Sequence, residues 1–308
     1  MSDVYLLTGF LGAGKTTFLR NFVQLFRDKK LRLIINEFGR ENVDAALLAD
    51  LGAVMQEITG GSVFCACRID QFEKALRECG EDETVLLESS GLSDPTGVRK
   101  LLSGGGRFPH LQYKGGICIA DATRFHKVYE TARPCVRQLA ASDIVLINKC
   151  DIAPREQIDR VRELILGQRP DIPVFETSFG ALPPKLLETL EKSQNGDREG
   201  LPITADLSSR KMSLRIPPEI TAYELEMFIR SFAEDTYRVK GFAETCDKGT
   251  VLADCVANVV SVRRTELKVD RDRLGILDIL SGNRMPMRSS VKKACELYGK
   301  YNISVVRE

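Results

Sequence analysis

Thr8-Gly9-Phe10-Leu11-Gly12-Ala13-Gly14-Lys15-Thr16-Thr17 is the stretch that decides the fold. From Gly9 to Thr16 it fits G-x-x-x-x-G-K-[ST], and it lies between an apolar run at residues 4–8 and an amphipathic run at residues 16–29. A strand, a glycine loop and a helix in that order make a phosphate cradle. The glycines let successive backbone N–H groups turn inward, and the helix N-terminus adds its positive dipole end. Gly9, Gly12, Ala13, Gly14 and Thr17 are candidate backbone contacts. Lys15 is an exposed side chain reaching the β and γ oxygens, and Thr16 offers its hydroxyl to Mg²⁺.

Working outward, short apolar runs recur at residues 32–36, 84–88, 116–121, 144–148 and 174–177, separated by helical patterns at residues 70–79 and 155–166. Most of these runs are continuously apolar, as when helices cover both faces of a parallel sheet. The expectation is an α/β P-loop NTPase domain with a doubly wound, mostly parallel sheet, over residues 1–195. Residues 196–211 are polar and glycine-bearing and read as a linker. Residues 212–308 read as a smaller α+β domain, with a helix at residues 221–232 and strand-like runs at residues 249–264 and 303–306.

Two further strand ends carry chemistry. Glu88, followed by Ser89-Ser90-Gly91, supplies an acidic group for Mg²⁺ or for the attacking water, and Gly91 lets the backbone approach a γ-phosphate. Asp121 is either an acidic partner in the site or a helix cap. Asn148-Lys149-Cys150-Asp151 is an N-K-x-D sequence at a strand's carboxyl end, where open α/β sheets bind ligands. A carboxylate there accepts from guanine N1–H and its 2-amino group, donors that adenine lacks. Asp151 is therefore the expected guanine reader, Asn148 its support and Lys149 the side chain packed over the base. Thr177 and Ser178, after Glu176, are placed to close the base pocket with backbone amides.

Of 308 residues 43% are hydrophobic and 28% charged, with a net charge of +1. That balance excludes collagen-like and disordered classes and advertises no nucleic-acid or anionic-membrane partner. Met1-Ser2-Asp3 leads straight into the first apolar run without a signal-peptide pattern, and no apolar run approaches the length of a membrane span, so a cytoplasmic chain is expected. Nine cysteines, an odd number, do not form a disulfide framework. Cys79, Cys118, Cys135, Cys150 and Cys255 read as structural.

Together these residues resemble the CobW-type family of P-loop GTPases. The resemblance rests on the phosphate loop, on Asn36-Glu37-Phe38-Gly39 with Asp44, on Glu88-Ser89-Ser90-Gly91-Leu92-Ser93-Asp94-Pro95, on Asn148-Lys149-Cys150-Asp151 and on Tyr237-Arg238-Val239-Lys240-Gly241-Phe242. It implies slow, Mg²⁺-dependent hydrolysis of GTP to GDP, with Glu37 joining Lys15, Thr16 and Glu88 as a catalytic candidate. It also implies handling of a metal or metallo-cofactor, zinc or cobalt and cobalamin, for a client metalloprotein or corrinoid enzyme, with a homodimer as one option for assembly.

The family's C-x-C-C metal motif departs here. Gly61-Ser62-Val63-Phe64-Cys65-Ala66-Cys67-Arg68 keeps Cys65 and Cys67 at most. Two thiolates are half of a tetrahedral site. Glu37, Glu41 and Asp44 could complete a mixed sulfur and oxygen set for Zn²⁺ or Co²⁺, opposed by the charge of Arg68. The alternative is a GTP-gated protein chaperone for a cofactor-dependent enzyme with no metal cargo. A third reading is an NTPase of little base preference.

Overall fold

A computed structural model describes residues 1–35, 53–57, 69–103, 107–193, 209–256, 259–266, 269, 273–282 and 285–307. The chain divides into two compact units, Met1–Asp206 and Leu207–Glu308.

The first unit is built on a parallel seven-stranded sheet in the order β3-β2-β4-β1-β5-β6-β7. Its strands are β1 (Ser2–Gly9), β2 (Lys30–Ile35), β3 (Val54–Glu57), β4 (Glu83–Glu88), β5 (Leu111–Asp121), β6 (Ile144–Asn148) and β7 (Val174–Glu176). Among the described residues the helices are α1 (Lys15–Phe22), α2 (Ile69–Arg77), α3 (Val98–Ser103), α4 (Phe125–Thr131), α5 (Arg133–Ala141), α6 (Arg155–Gln168) and α7 (Leu186–Ser193). Residues of β1 alternate between two cores, as the two-residue strand period requires. Tyr5 and Leu7 join Phe18, Phe22, Leu186 and Leu190 of α1 and α7. Val4 and Leu6 join Phe72 and Leu76 of α2 and Val98 and Leu102 of α3. Both faces of the sheet are thus covered, which is why its central strands are apolar throughout.

The helical pattern at residues 16–29 ends earlier than its apolar spacing suggests. The α-helix stops at Phe22 and tightens into a 3₁₀ turn over Val23–Phe26, a common way to finish a helix. The ring of Phe22 stacks on Phe18 at 5.3 Å and meets Phe26 edge-on at 5.2 Å, with Tyr5 of β1 edge-on at 5.7 Å. This aromatic column seats the phosphate-loop helix on the centre of the sheet.

In the second unit a six-stranded antiparallel sheet runs β11-β10-β9-β12-β8-β13. It comprises β8 (Ser209–Arg215), β9 (Arg238–Thr245), β10 (Gly249–Val256), β11 (Val259–Arg264), β12 (Ile276–Gly282) and β13 (Ser304–Arg307). The run read as strand-like at residues 249–264 is the β10–β11 pair, in which Val256 faces Val259. β8 begins at Ser209, inside the stretch read as linker. Two helices, α8 (Ala222–Arg230) and α9 (Met287–Leu297), pack Leu225, Phe228, Ile229 and Val291 against Leu214, Val239, Val251 and Ile279. Thr221 and Glu224 form a capping box that starts α8. Among the described residues, no helix is long and apolar enough to cross a membrane.

Candidate nucleotide site

Parallel pairing brings the carboxyl ends of five strands to one edge. Register places Leu7 beside Glu88, Gly9 beside Ile119, Asp121 beside Asn148 and Ile147 beside Glu176. The loops after β1, β4, β5, β6 and β7 therefore share one rim, and the chain builds β2 to β4 on one side of β1 before β5 to β7 on the other. That reversal is where open α/β sheets hold ligands.

The phosphate loop closes on itself through Ala13 N–H to the Phe10 carbonyl at 3.2 Å, and Phe18 N–H reaches the Gly14 carbonyl at 2.9 Å to begin α1. Gly14 has φ of 100°, and a Cβ there would lie 2.3 Å from Asn148 Nδ2. Only glycine meets both demands. Lys15 departs from the expectation of an exposed side chain. It is 8% exposed, and its Nζ donates to the carbonyls of Gly9 at 2.9 Å and Phe10 at 3.4 Å. The loop's own carbonyls satisfy the ammonium, so burial costs little. Gly12 and Thr17 are exposed, and Gly14 and Thr16 are half-buried.

Glu88 is buried at the end of β4. Next to it Ser89 N–H donates to the Leu7 carbonyl at 2.9 Å, and Ser89 Oγ donates to Thr8 Oγ1 at 2.9 Å, tying the strand end to the start of the phosphate loop. Gly91 lies directly on that loop: a Cβ there would fall 2.7 Å from the Leu11 nitrogen.

Asn148 acts as a bracket. Its Nδ2 donates to the Ala13 carbonyl at 2.9 Å, and its Oδ1 accepts from Gly180 N–H at 3.1 Å. One buried amide thus joins the phosphate loop to the loop after β7. Lys149 adopts φ of 67°, and its Nζ pairs with Asp121 Oδ2 at 2.6 Å. The other oxygen of Asp121 accepts from Thr123 N–H at 2.8 Å and Thr123 Oγ at 2.6 Å. Asp121 is therefore both a turn-closing cap and the anchor of Lys149, whose alkyl stem is left to form a platform. Asp151 is exposed on the same rim, and among the described residues its carboxylate makes no hydrogen bond.

The loop after β7 is closed by Thr177 Oγ1 donating to the Ala181 carbonyl at 2.7 Å. Thr177 N–H donates to the Ile147 carbonyl at 2.8 Å, and its carbonyl accepts from Cys150 N–H at 3.2 Å. The amide of Thr177 is spent on the sheet, which leaves Ser178 as the nearer candidate for a backbone contact to a ligand. Glu176 is spent as well. Arg155 and Arg162 each reach it at 2.7 Å, and these guanidinium groups, Arg155 foremost, hold its carboxyl below the usual range.

Sequence reasoning did not single out Asn21, whose Nδ2 donates to the Gly180 carbonyl at 2.8 Å, nor the Asp121 to Lys149 pair. The only hint of the latter is Asp121-Ala122-Thr123, an Asp two residues before a hydroxyl at a strand end. Cys79, Cys118, Cys135 and Cys255 are buried free thiols. Burial pushes the Cys118 thiol up to about 12, so it is inert. Glu37, Glu41, Asp44, Cys65 and Cys67 lie outside the described residues. Among the described residues no group of three or more His, Cys, Asp or Glu side chains could hold a metal ion.

The sequence pattern of the CobW/HypB/UreG nucleotide-binding domain matches residues 3–176, from the first strand to the last strand of the sheet. The chain belongs to the CobW/HypB/UreG family. Members of this family are GTPases, and the rim just described lies in the matched nucleotide-binding domain. The zinc chaperone YeiR of Escherichia coli is 35% identical over 156 residues, covering 49% of this chain and 47% of YeiR, so the chain aligns with about half of that relative's length. The zinc chaperone CobW of Pseudomonas aeruginosa is 26% identical over 298 residues, covering 78% of this chain and 76% of that protein. Among solved structures, Zn(II)-bound YjiA GTPase from E. coli has 20% identity and a TM-score of 0.47, covering 96% of this chain and 98% of that one.

Proposed function

We propose that the chain is a Mg²⁺-dependent GTPase whose nucleotide cycle governs the handling of Zn²⁺ for a client metalloprotein. The observation that carries the nucleotide half is the bracket of Asn148 between Ala13 and Gly180, because it joins the phosphate loop to the loops that flank Asp151. In this reading Lys15 and the amides of Gly12, Gly14, Thr16 and Thr17 hold the phosphates, while the Ala13 amide stays on the Phe10 carbonyl and shapes the loop. Asp151 accepts from the guanine edge, Lys149 lies along its face and Ser178 closes the pocket.

Mg²⁺ fits the donor set, since the half-buried Thr16 hydroxyl and the buried Glu88 carboxylate are hard oxygen ligands on neighbouring elements. When bound it would neutralise charge on the transferred phosphoryl group. Glu88 or Glu37 would orient the attacking water, and Gly91 would carry the backbone toward the γ-phosphate.

The metal half rests on family membership and on relatives named zinc chaperones. Cys65 and Cys67, with Glu37, Glu41 and Asp44, are the residues this reading assigns to Zn²⁺, with Co²⁺ and a corrinoid client as the alternative cargo. The departure from C-x-C-C at Cys65-Ala66-Cys67-Arg68 favours one competitor, a GTP-gated protein chaperone without metal cargo. Calorimetric titration with GDP and with ADP in Mg²⁺ tests the nucleotide half. GDP is expected to bind about 100-fold tighter or more; equal affinities would replace the guanine site with a general NTPase site.

A further inference from the structure

Helix α5 carries a buried amide that the nucleotide motifs do not account for. Gln138 is 1% exposed, and its Nε2 donates to the Gly91 carbonyl at 3.0 Å and the Ser93 carbonyl at 3.2 Å. Two acceptors fix the orientation of the amide, because the flipped group would set oxygen against oxygen. From its other side the same turn rests on the phosphate loop, where Gly91 leaves no room for a Cβ beside Leu11. One residue earlier in the helix, Arg137 places Nε 3.8 Å from Asp94 Oδ2. Asp94 in turn closes on Thr96 N–H at 3.1 Å and Thr96 Oγ1 at 2.6 Å. Residues 91–94 are thus held between the phosphate loop and α5.

The Oε1 atom of Gln138 is buried and accepts no hydrogen bond among the described residues. A buried acceptor left unsatisfied disfavours the arrangement it sits in. An N–H of the turn that moved toward it would satisfy it, and segments beside a γ-phosphate move between discrete arrangements.

We propose that Gln138 is the positioning residue of the segment behind Glu88. It holds the carbonyls of Gly91 and Ser93 in the arrangement described here and offers its own carbonyl to a second arrangement around the γ-phosphate. It acts through the turn, not on the nucleotide, and the proposal rests on the GTPase reading of the site.

Gln138→Met keeps the length of the side chain and removes both donor and acceptor. The expected result is a fall in kcat of about tenfold or more, with KM for GTP and affinity for GDP within about twofold of wild type. The melting temperature should fall by several degrees with the cooperative transition kept, since the Gly91 and Ser93 carbonyls lose their donor, and amide exchange at residues 90–94 of the nucleotide-free protein should speed up by about tenfold. Gln138→Asn, one methylene too short to span the gap, is read in the same way should the first variant lose that transition. Wild-type kcat in a folded variant would overturn the proposal, as would loss of rate together with GDP affinity. If the wild-type chain hydrolyses no GTP, the GTPase reading fails on its own. The exchange comparison then still decides the role of Gln138: faster exchange in the variant upholds its hold on the turn, and equal exchange refutes it.

Discussion

Lys15→Ala is expected to lower kcat/KM for GTP by about 1,000-fold or more, a loss of about 4 kcal/mol in transition-state stabilisation, while the fold stays intact. The lysine is held inside the loop by the carbonyls of Gly9 and Phe10. Its ammonium is therefore already desolvated and aimed along the loop that would receive the phosphates, so little reorganisation is needed when negative charge arrives. Stability should change little, because the side chain contributes no apolar packing that the core depends on. The two carbonyls it leaves can take water through the exposed rim at Gly12. Steady-state hydrolysis and thermal melting of the purified variant check both halves. Turnover near the wild-type rate would remove the assignment of the phosphate site.

Asp151→Asn is expected to weaken GDP binding by about 100-fold, or about 3 kcal/mol, and to admit xanthosine diphosphate in its place. A carboxylate accepts from two guanine donors at once. An amide can accept only one and presents an N–H to the other, whereas xanthine offers a carbonyl that this N–H can reach. Asp151 is exposed and makes no hydrogen bond among the described residues, so the change should leave stability alone and be read cleanly in affinity. Unchanged preference for GDP would mean that the base is read elsewhere.

How far such roles could be read before the structure depended on how local their causes are. The strand at residues 144–148 was legible to the residue, since Ile144-Val145-Leu146-Ile147 is short, rich in β-branched residues and apolar at every position, as a strand buried on both faces requires. β3 was not legible. It is a four-residue edge strand in which Val54 is 49% and Met55 43% exposed, so its apolar residues stop at Met55 before Gln56-Glu57 and form neither a continuous run nor an alternation. β8 was missed for a related reason: Met212 and Leu214 face the core while Arg210, Lys211 and Arg215 interrupt the run.

The same contrast holds in the site. Gly9, Gly14, Lys15 and Asp151 announce themselves through spacing, because a phosphate and a base edge impose fixed backbone and donor geometry. The burial of Lys15, the pairing of Lys149 with Asp121 and the bracket of Asn148 depend on strands distant in sequence meeting at one rim. Gln138 was hidden more thoroughly. Nothing in Arg133-Pro134-Cys135-Val136-Arg137-Gln138 marks the glutamine out, and its role shows only where the carbonyls of Gly91 and Ser93 meet its amide.

Coupling between nucleotide and metal is the central claim, and it is tested by Zn²⁺ affinity in chelator competition on protein loaded with GDP and then with a non-hydrolysable GTP analogue. The expected result is about one Zn²⁺ per chain, an affinity that changes by about tenfold or more between the two nucleotides, and loss of the site in the Cys65→Ala/Cys67→Ala variant. Zn²⁺ binding that ignores the nucleotide, or no binding while GDP still binds tightly, would contradict it and leave the GTP-gated protein chaperone in its place.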